Sequence, residues 1–128
     1  MKSKTAAEIL GNPRYEAISY GGYRKTTRDA QPSVAELKED MKILHAMGIR
    51  IVRTYNVHLP QAANLLKAIS ELKVKNPDFE MYVMLGAWID CLNAWTDKVV
   101  NHYVGSPRNE QEITKAVELA NQYPDIVK

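Results

Sequence analysis

Cysteine is scarce in the chain, since Cys91 is the single cysteine among its 128 residues. One cysteine cannot form an internal disulfide, which excludes a disulfide-stapled fold and leaves the redox compartment open. Long apolar runs are also lacking, because no window approaches the roughly 18 apolar residues of a membrane span. The N-terminal stretch begins basic but has no apolar segment of signal-peptide length. We therefore expect no membrane span and no export signal, which leaves the cytoplasm as the default location.

An excess of charge of one sign is absent as well. The formal net charge is +2, and no basic stripe is interleaved with aromatic side chains. A nucleic acid is therefore not expected as a partner. The phosphate-binding patterns GxGxxG and GxxxxGK[ST] follow none of the predicted strands, which argues against a nucleotide site. Length and a hydrophobic content of 45% predict one domain over residues 1–128, with residues 1–14 as an N-terminal extension.

What the sequence does contain is an alternation of strand and helix patterns. Three segments are predicted strands: EAISYGGY from Glu16, IRIVRTYN from Ile49 and EMYVMLGAWI from Glu80. A helix follows each strand, and Ser33 opens the first helix through a capping box with a glutamate three residues later. The predicted apolar faces of the three helices are Val34, Leu37, Met41, Leu44 and Met47; Ala62, Leu65, Leu66, Ile69 and Leu72; and Ile113, Ala116, Val117 and Ala120.

The third helix is preceded by a longer connection than the other two. The polar segment from Asp90 to Arg108 is predicted to be a loop. Asn109 and Glu112 then form a capping pattern at the start of the helix. After the helix, YPD is typical of a turn, and IVK begins a fourth strand.

This order of elements predicts a parallel sheet with right-handed crossovers. Two architectures fit: an open doubly wound sheet, or part of an eight-stranded βα barrel, whose full size is about 250 residues. The missing phosphate loops weaken the first. The alternation therefore predicts an α/β fold and leaves both architectures open; as a barrel, the chain would be a partial (β/α)8 TIM barrel made of three βα units and the start of strand four.

Candidate binding residues cluster at the C-terminal ends of the predicted strands, where parallel βα folds carry their sites. Three clusters lie at these ends: Tyr20 to Arg24, Arg53 to Asn56 and Gly86 to Asp90. Alternation places Arg53 and Tyr55 on one face of their strand and Trp88 and Asp90 on one face of theirs. Aromatic rings beside planar hydrogen-bonding groups suit a sugar, because its C–H face stacks on a ring while its hydroxyls need donors and acceptors.

The same residues also fit structural roles. Tyr55 and Trp88 fit ordinary core or loop packing. Arg53 fits a structural ion pair, because a guanidinium group is costly to bury without a partner. Asp90 fits a turn cap or the partner of Arg53 as well as a substrate contact.

A metal site is a further alternative. His58, Asp90, Cys91 and His102 fall on loops after strands, and these residue types bind zinc. Such a site would indicate a metal-dependent hydrolase or isomerase. The spacing matches no ligand signature, so we predict no metal and no cofactor.

Four segments, AISYGGYR, MGIRIVRTYN, MYVMLGAWID and YPDIVK, occur in this order and resemble the N-terminal half of glycoside hydrolase family 17, above all its bacterial members. The resemblance runs from about Tyr15 to Lys128, and the ends of strands two and three are its most specific parts. It implies an eight-stranded βα barrel that hydrolyses β-1,3-linked glucans with retention of configuration. By motif position it implies substrate contacts for Tyr20, Arg53, Tyr55, Asn56, Trp88 and Asp90.

The resemblance also implies where the catalytic residues of the family lie. A glutamate acid/base stands in a GNE-type motif at the end of strand four, and a glutamate nucleophile stands at the end of strand seven. Neither position exists in this sequence. We therefore expect an N-terminal fragment of a β-1,3-glucanase-like hydrolase, an enzyme by family whose isolated chain is inactive, with a β-glucan or oligosaccharide as its partner.

An alternative is a non-catalytic module that binds carbohydrate or self-associates. An incomplete barrel leaves sheet edges unpaired and exposes the inward face that carries Ile49, Ile51, Tyr82 and Met84. We therefore expect a homo-oligomer formed through the exposed edges. A monomer would need the N-terminal segment or the long third loop to fold over the opening.

Overall fold

The structure, a computed structural model, describes residues 3–128. Helices and strands alternate along the chain, and a short hairpin precedes the last helix. In chain order the elements are α1 (Ala6–Ile9), β1 (Glu16–Ser19), α2 (Val34–Ala46), β2 (Ile49–Arg53), α3 (Pro60–Lys75), β3 (Tyr82–Met84), β4 (Cys91–Leu92), β5 (Asn101–Gly105) and α4 (Arg108–Gln122). The predicted strands and helices are present, although all three strands end earlier than predicted.

The main sheet is parallel and its strands follow chain order, β1-β2-β3. Beyond β3, Val127 forms a parallel bridge with Val83. The Val83 N–H donates to the carbonyl of Ile126 at 2.9 Å, and the Lys128 N–H donates to the carbonyl of Val83 at 3.0 Å. The segment predicted to begin a fourth strand therefore pairs with β3, so that the C-terminal ends of successive strands lie at one edge.

The main core lies between this sheet and the helices on one of its faces. Val52 and Val83 contribute from the sheet side, and both are completely buried. The predicted apolar face of α3 is buried throughout. On α2, Leu37 and Met41 are buried as predicted, whereas Met47, just past the helix end, is 66% exposed. The predicted capping box of α2 is confirmed, since Ser33 and Glu36 exchange both hydrogen bonds.

The predicted apolar face of α4 is partly wrong. Ile113 and Val117 are half exposed, while Ala116 and Leu119 contact the core. The buried stripe also includes the acidic residue Glu112. A helical repeat allows two neighbouring stripes here, and the choice between them depends on contacts distant in sequence.

An incomplete barrel is expected to leave the inward face of its sheet exposed. In this structure, part of that face is covered. The N-terminal extension forms α1, whose Ile9 is completely buried against Ile51 and Tyr82. Ile51 and Tyr82 are consequently 3% and 6% exposed. Further along the face, Met84 remains 37% exposed. The expectation of an exposed inward face was therefore wrong for the part that carries Ile51 and Tyr82, because the N-terminal segment covers it.

The segment predicted as a long loop contains an antiparallel pair, β4 and β5. Between them, the side-chain amide of Asn93 donates to the carbonyl of Val99 at 2.9 Å, and the hydroxyl of Thr96 donates to the carbonyl of Asn93 at 2.7 Å. The hairpin was missed because a strand as short as β4 carries no period of alternation. Within residues 3–128, no helix combines the length and apolar character that crossing a membrane requires.

Candidate functional site

The ends of β2 and β3 are joined by two hydrogen bonds beyond the regular ladder. The Thr54 N–H donates to the carbonyl of Met84, and the Gly86 N–H donates to the Thr54 hydroxyl, each at 3.1 Å. A Cβ atom on Gly86 would lie 2.3 Å from the Thr54 carbonyl oxygen, so only glycine fits there. This close approach fixes the two strand ends against each other, and the candidate residues follow directly.

At the end of β2, Arg53 and Tyr55 lie together. The guanidinium carbon is 5.5 Å from the centroid of the Tyr55 ring, within the range of a cation–π contact. The Arg53 Nε–H donates to the Ser19 hydroxyl on β1 at 3.3 Å. Across residues 3–128, no carboxylate pairs with Arg53, so the alternative of a structural ion pair is not found. The guanidinium is exposed and retains donors for a ligand.

After β3, Asp90 holds two tryptophans. The indole N–H groups of Trp88 and Trp95 donate to the same oxygen, Asp90 Oδ1, at 2.9 and 3.1 Å. The other carboxylate oxygen lies 3.6 Å from Nη2 of Arg108. The two indole rings are 6.5 Å apart at an angle of 47°. Trp88 is 38% and Trp95 80% exposed, so Asp90 orients two aromatic faces that solvent reaches.

The backbone of Asp90 is fixed by Asn109 at the start of α4. The Asn109 side chain accepts from the Asp90 N–H and donates to its carbonyl, both at 2.9 Å. The same carbonyl accepts from the Ser106 N–H at 2.9 Å. Asn109 was predicted to cap α4, but the structure places Pro107 at the N-cap, without a side-chain capping bond. Asn109 instead anchors the residue that orients both indoles.

Glu112, also assigned to the predicted capping pattern, is the most connected side chain of the site. Its Oε1 accepts from the backbone N–H groups of Val57 at 2.7 Å and Trp88 at 3.0 Å. Its Oε2 lies 2.8 Å from Nδ1 of His58. Burial by itself would raise the pKa of Glu112, but these hydrogen bonds outweigh burial and hold the pKa below its ordinary value. Glu112 thus ties the segments after β2 and β3 to α4 as a buried carboxylate.

Sequence reasoning missed both Glu112 and Trp95 as site residues. Glu112 was visible as a carboxylate seven positions before Leu119, on what proves to be the buried stripe of α4. A charged residue in such a stripe signals a partner. Trp95 lay in the segment predicted as a loop, where no local pattern marked it.

A cleft of about 700 Å³ lies beside this cluster, between the segments after β2 and β3 and the first turns of α4. His58, Trp88 and Asp90 form its strand-end side. The residues of α4 that line it are Arg108, Asn109, Glu110, Gln111, Glu112, Thr114, Lys115 and Glu118. The cleft has the size of a small-molecule site.

Two of the sequence-predicted residues lie apart from these groups. The Tyr20 hydroxyl donates to Asp40 on α2 at 2.6 Å, and burial together with this carboxylate raises the pKa of Tyr20. Asn56 is 8% exposed, and its side-chain oxygen accepts from the Leu59 N–H at 3.4 Å, just before α3. Tyr20 and Asn56 therefore bond to the scaffold, whereas Arg53 and Tyr55 form one group and Trp88 and Asp90 another.

The four residues of the metal alternative are not brought together. Cys91 Sγ lies 3.8 Å from His102 Nδ1, while His58 bonds to Glu112 and Asp90 to the indoles. Within residues 3–128, no group of three or more histidine, cysteine, aspartate or glutamate side chains is arranged to hold a metal ion.

Comparison with known proteins identifies one informative likeness. The structure superposes on a crystal structure of an endo-laminarinase from Formosa Hel1_33_131 with a TM-score of 0.96 and 65% sequence identity. The match covers 98% of this chain and 32% of that chain, so this chain spans about a third of the laminarinase's length. No protein-family model and no curated protein matches the chain.

Proposed function

We propose that this chain forms part of the glucan-binding cleft of a β-1,3-glucan hydrolase of glycoside hydrolase family 17. The observation that carries the proposal is the 65% identity to an endo-laminarinase over 98% of the chain. Because the match covers 32% of the laminarinase, the activity, the substrate and the family are inferences for this chain. The AISYGGYR, RTYN and LGAWID segments support the family assignment independently.

The proposed architecture is a segment of a (β/α)8 barrel. In support, the parallel strands follow chain order, and Val127 adds to the sheet beyond Val83. The main core lies on one face of the sheet, where α2 and α3 pack. A barrel has the same layering, with helices outside and the ligand site at the C-terminal ends of the strands.

The chemistry at those ends suits a neutral sugar chain. The faces of Tyr55 and Trp88 offer stacking surfaces for the C–H face of a glucosyl ring. The exposed guanidinium of Arg53 offers hydrogen-bond donors to hydroxyl oxygens. None of these groups requires a charged ligand, and the uncharged hydroxyls of a β-glucan satisfy all of them.

Binding is the role proposed for these residues, and the 128-residue chain alone is proposed to be inactive. A retaining glycosidase needs two carboxyl groups about 5 Å apart, one of them as nucleophile. Asp90 already holds two indoles through Oδ1 and faces Arg108 through Oδ2. Glu112 is buried, fully hydrogen-bonded and of lowered pKa, so it is a poor general acid. The glutamates that the family resemblance implies would supply the chemistry.

Calorimetric titration of the 128-residue chain with laminarihexaose tests the binding role. We expect weak but saturable binding that Tyr55→Ala diminishes. Val74→Ala is the matched control, since Val74 on α3 is 82% exposed and remote in sequence from the strand ends. A chain that ignores laminarihexaose, or a Tyr55→Ala variant that binds as well as the parent, contradicts the proposal. Reducing-sugar release from laminarin is expected to stay at background.

We further propose that copies of the chain pair through β1. All residues of β1 are exposed, and β1 is the outer strand of the sheet, so within residues 3–128 its outer backbone groups have no strand partner. An edge of this kind is a template for pairing with another chain. The driving force is smaller than an uncovered inward face would provide, because α1 covers Ile51 and Tyr82.

A further inference from the structure

The hairpin between β4 and β5 presents an exposed indole on a constrained backbone. Trp95 is 80% exposed, yet its N–H donates to Asp90. Asn93 and Trp95 have φ angles of 65° and 63°, in the left-handed region that side chains rarely adopt. The Ala94 N–H donates to the carbonyl of Cys91 at 3.1 Å and holds this turn. The position of the exposed ring is thus fixed from both the backbone and the indole nitrogen.

We propose that Trp95 and Trp88 form a two-ring platform that stacks on neighbouring glucosyl units of a β-1,3-glucan. Asp90 is its positioning residue. This inference rests on the proposed function and adds to it a second stacking residue and the feature that selects the linkage.

The geometry of the pair carries the proposal. The ring centroids are 6.5 Å apart, and the planes are tilted by 47°. A β-1,4-glucan is a flat ribbon whose neighbouring rings lie nearly in one plane, whereas a β-1,3-glucan turns at each linkage. Two tilted faces follow a turning chain better than a flat one. The platform therefore favours the β-1,3 linkage.

Asp90 determines this tilt because one oxygen accepts both indole N–H groups. With each N–H satisfied by the carboxylate, the indole faces remain available for stacking. Arg108 and Asn109 hold the carboxylate and the backbone of Asp90 from α4. Removing the acceptor would release both rings at once, which distinguishes a positioning residue from a residue that contacts sugar.

The test compares Trp95→Ala with Val99→Ala in the 128-residue chain, by titration with laminarihexaose and cellohexaose. Val99 lies on the same hairpin and is 89% exposed. We expect Trp95→Ala to weaken laminarihexaose binding roughly tenfold, the size of one aromatic contact, and Val99→Ala to leave it unchanged. Trp95→Phe should restore part of the loss. Cellohexaose should bind more weakly than laminarihexaose to the parent chain.

The role of Asp90 is read from the indole N–H resonances in nuclear magnetic resonance spectra, which are simple to assign because the chain has 2 tryptophans. Asp90→Ala should shift both resonances and weaken binding, whereas Asp90→Asn, which keeps an oxygen acceptor, should restore both in part. Unmoved resonances in Asp90→Ala overturn the positioning role.

Each remaining outcome counts against a different statement. Parent-like binding by Trp95→Ala overturns the platform and leaves the proposed function standing. Equal binding of the two hexasaccharides overturns the linkage preference. A parent chain that binds neither overturns the proposed function and the platform with it.

Discussion

Glu112 offers the sharpest test of how the site is held together. Replacing it with alanine removes the acceptor of the Val57 and Trp88 backbone N–H groups, which lie at 2.7 and 3.0 Å from Oε1. A buried donor left without a partner costs about 1–3 kcal/mol. Because the Val57 donor is buried and the Trp88 donor partly buried, we expect a loss of about 2–4 kcal/mol in the free energy of unfolding. Glu112→Gln keeps an oxygen acceptor and loses the charge, for which we expect about 1–2 kcal/mol.

Urea unfolding followed by circular dichroism measures these changes, with Glu118→Ala as the control. Glu118 lies on the same helix and is exposed, and it makes no side-chain hydrogen bond or ion pair within the described residues. A surface substitution of this kind changes stability by about 0.5 kcal/mol or less. Equal urea midpoints for Glu112→Ala and Glu118→Ala would refute the role of Glu112 as a tie between segments.

The pH dependence gives a second readout for the same carboxylate. Because the folded pKa of Glu112 lies below its ordinary value of 4.5, the unfolded chain takes up a proton first as the pH falls. The contribution of Glu112 to stability is therefore fully present above pH 4.5 and is lost as the pH falls through the folded pKa. Glu112→Gln should flatten this part of the stability curve, and an unchanged curve would contradict the assignment.

The remaining predictions concern the rest of the scaffold and the association of copies of the chain. Gly86→Ala would place a methyl group 2.3 Å from the Thr54 carbonyl oxygen. Urea unfolding should therefore show a loss of about 1–3 kcal/mol or more in the free energy of unfolding. Gly48→Ala is the comparison, because a methyl group there meets open space while the φ of 92° still imposes backbone strain. Burial and, to a smaller extent, Arg50 lower the pKa of His45 from 6.5. The stability that His45 contributes is therefore present above pH 6.5 and is lost as the pH falls through its folded pKa. His45→Phe should remove this pH dependence from thermal unfolding measured at stepped pH. Light scattering behind a sizing column should give a mass above that of a monomer, and a monodisperse monomer at micromolar concentration contradicts pairing through β1.

Sequence patterns predicted those parts of the fold whose cause is local. The capping box of α2 and the five-residue apolar face of α3 are confirmed because both depend on spacing within one helix. The parallel β1-β2-β3 sheet was predicted from the alternation of patterns and is confirmed as well. The hairpin of β4 and β5 was not predicted, because strands this short show no alternation of apolar and polar residues. The packing of Ile9 over Ile51 and Tyr82 was not predicted, because these residues are distant from Ile9 in sequence.

The candidate site was predictable to a similar extent. Strand-end position and alternation correctly placed Arg53 beside Tyr55 and Trp88 beside Asp90. The same reasoning did not reveal that Tyr20 bonds to α2. The spacing of Asn109 and Glu112 predicts a helix cap, because it is the spacing of a capping box. Only the three-dimensional structure shows that Asn109 hydrogen-bonds to Asp90 and that Glu112 hydrogen-bonds to Val57 and Trp88.

These hydrogen bonds give both carboxylates, Asp90 after β3 and Glu112 on α4, a positioning role. Asp90 fixes the indoles, and Glu112 fixes the backbone from which Trp88 projects, so Trp88 is held at its N–H group and at its ring nitrogen by different acids. Both acids depend on α4, Glu112 as one of its residues and Asp90 through Asn109 and Arg108. The aromatic surface is therefore only as well ordered as the first turns of α4. Glu112 is buried in a helix whose outer face is largely polar because its hydrogen bonds tie α4 to the segments after β2 and β3. Under the proposed function, this tie holds the strand ends at the spacing that sugar binding needs.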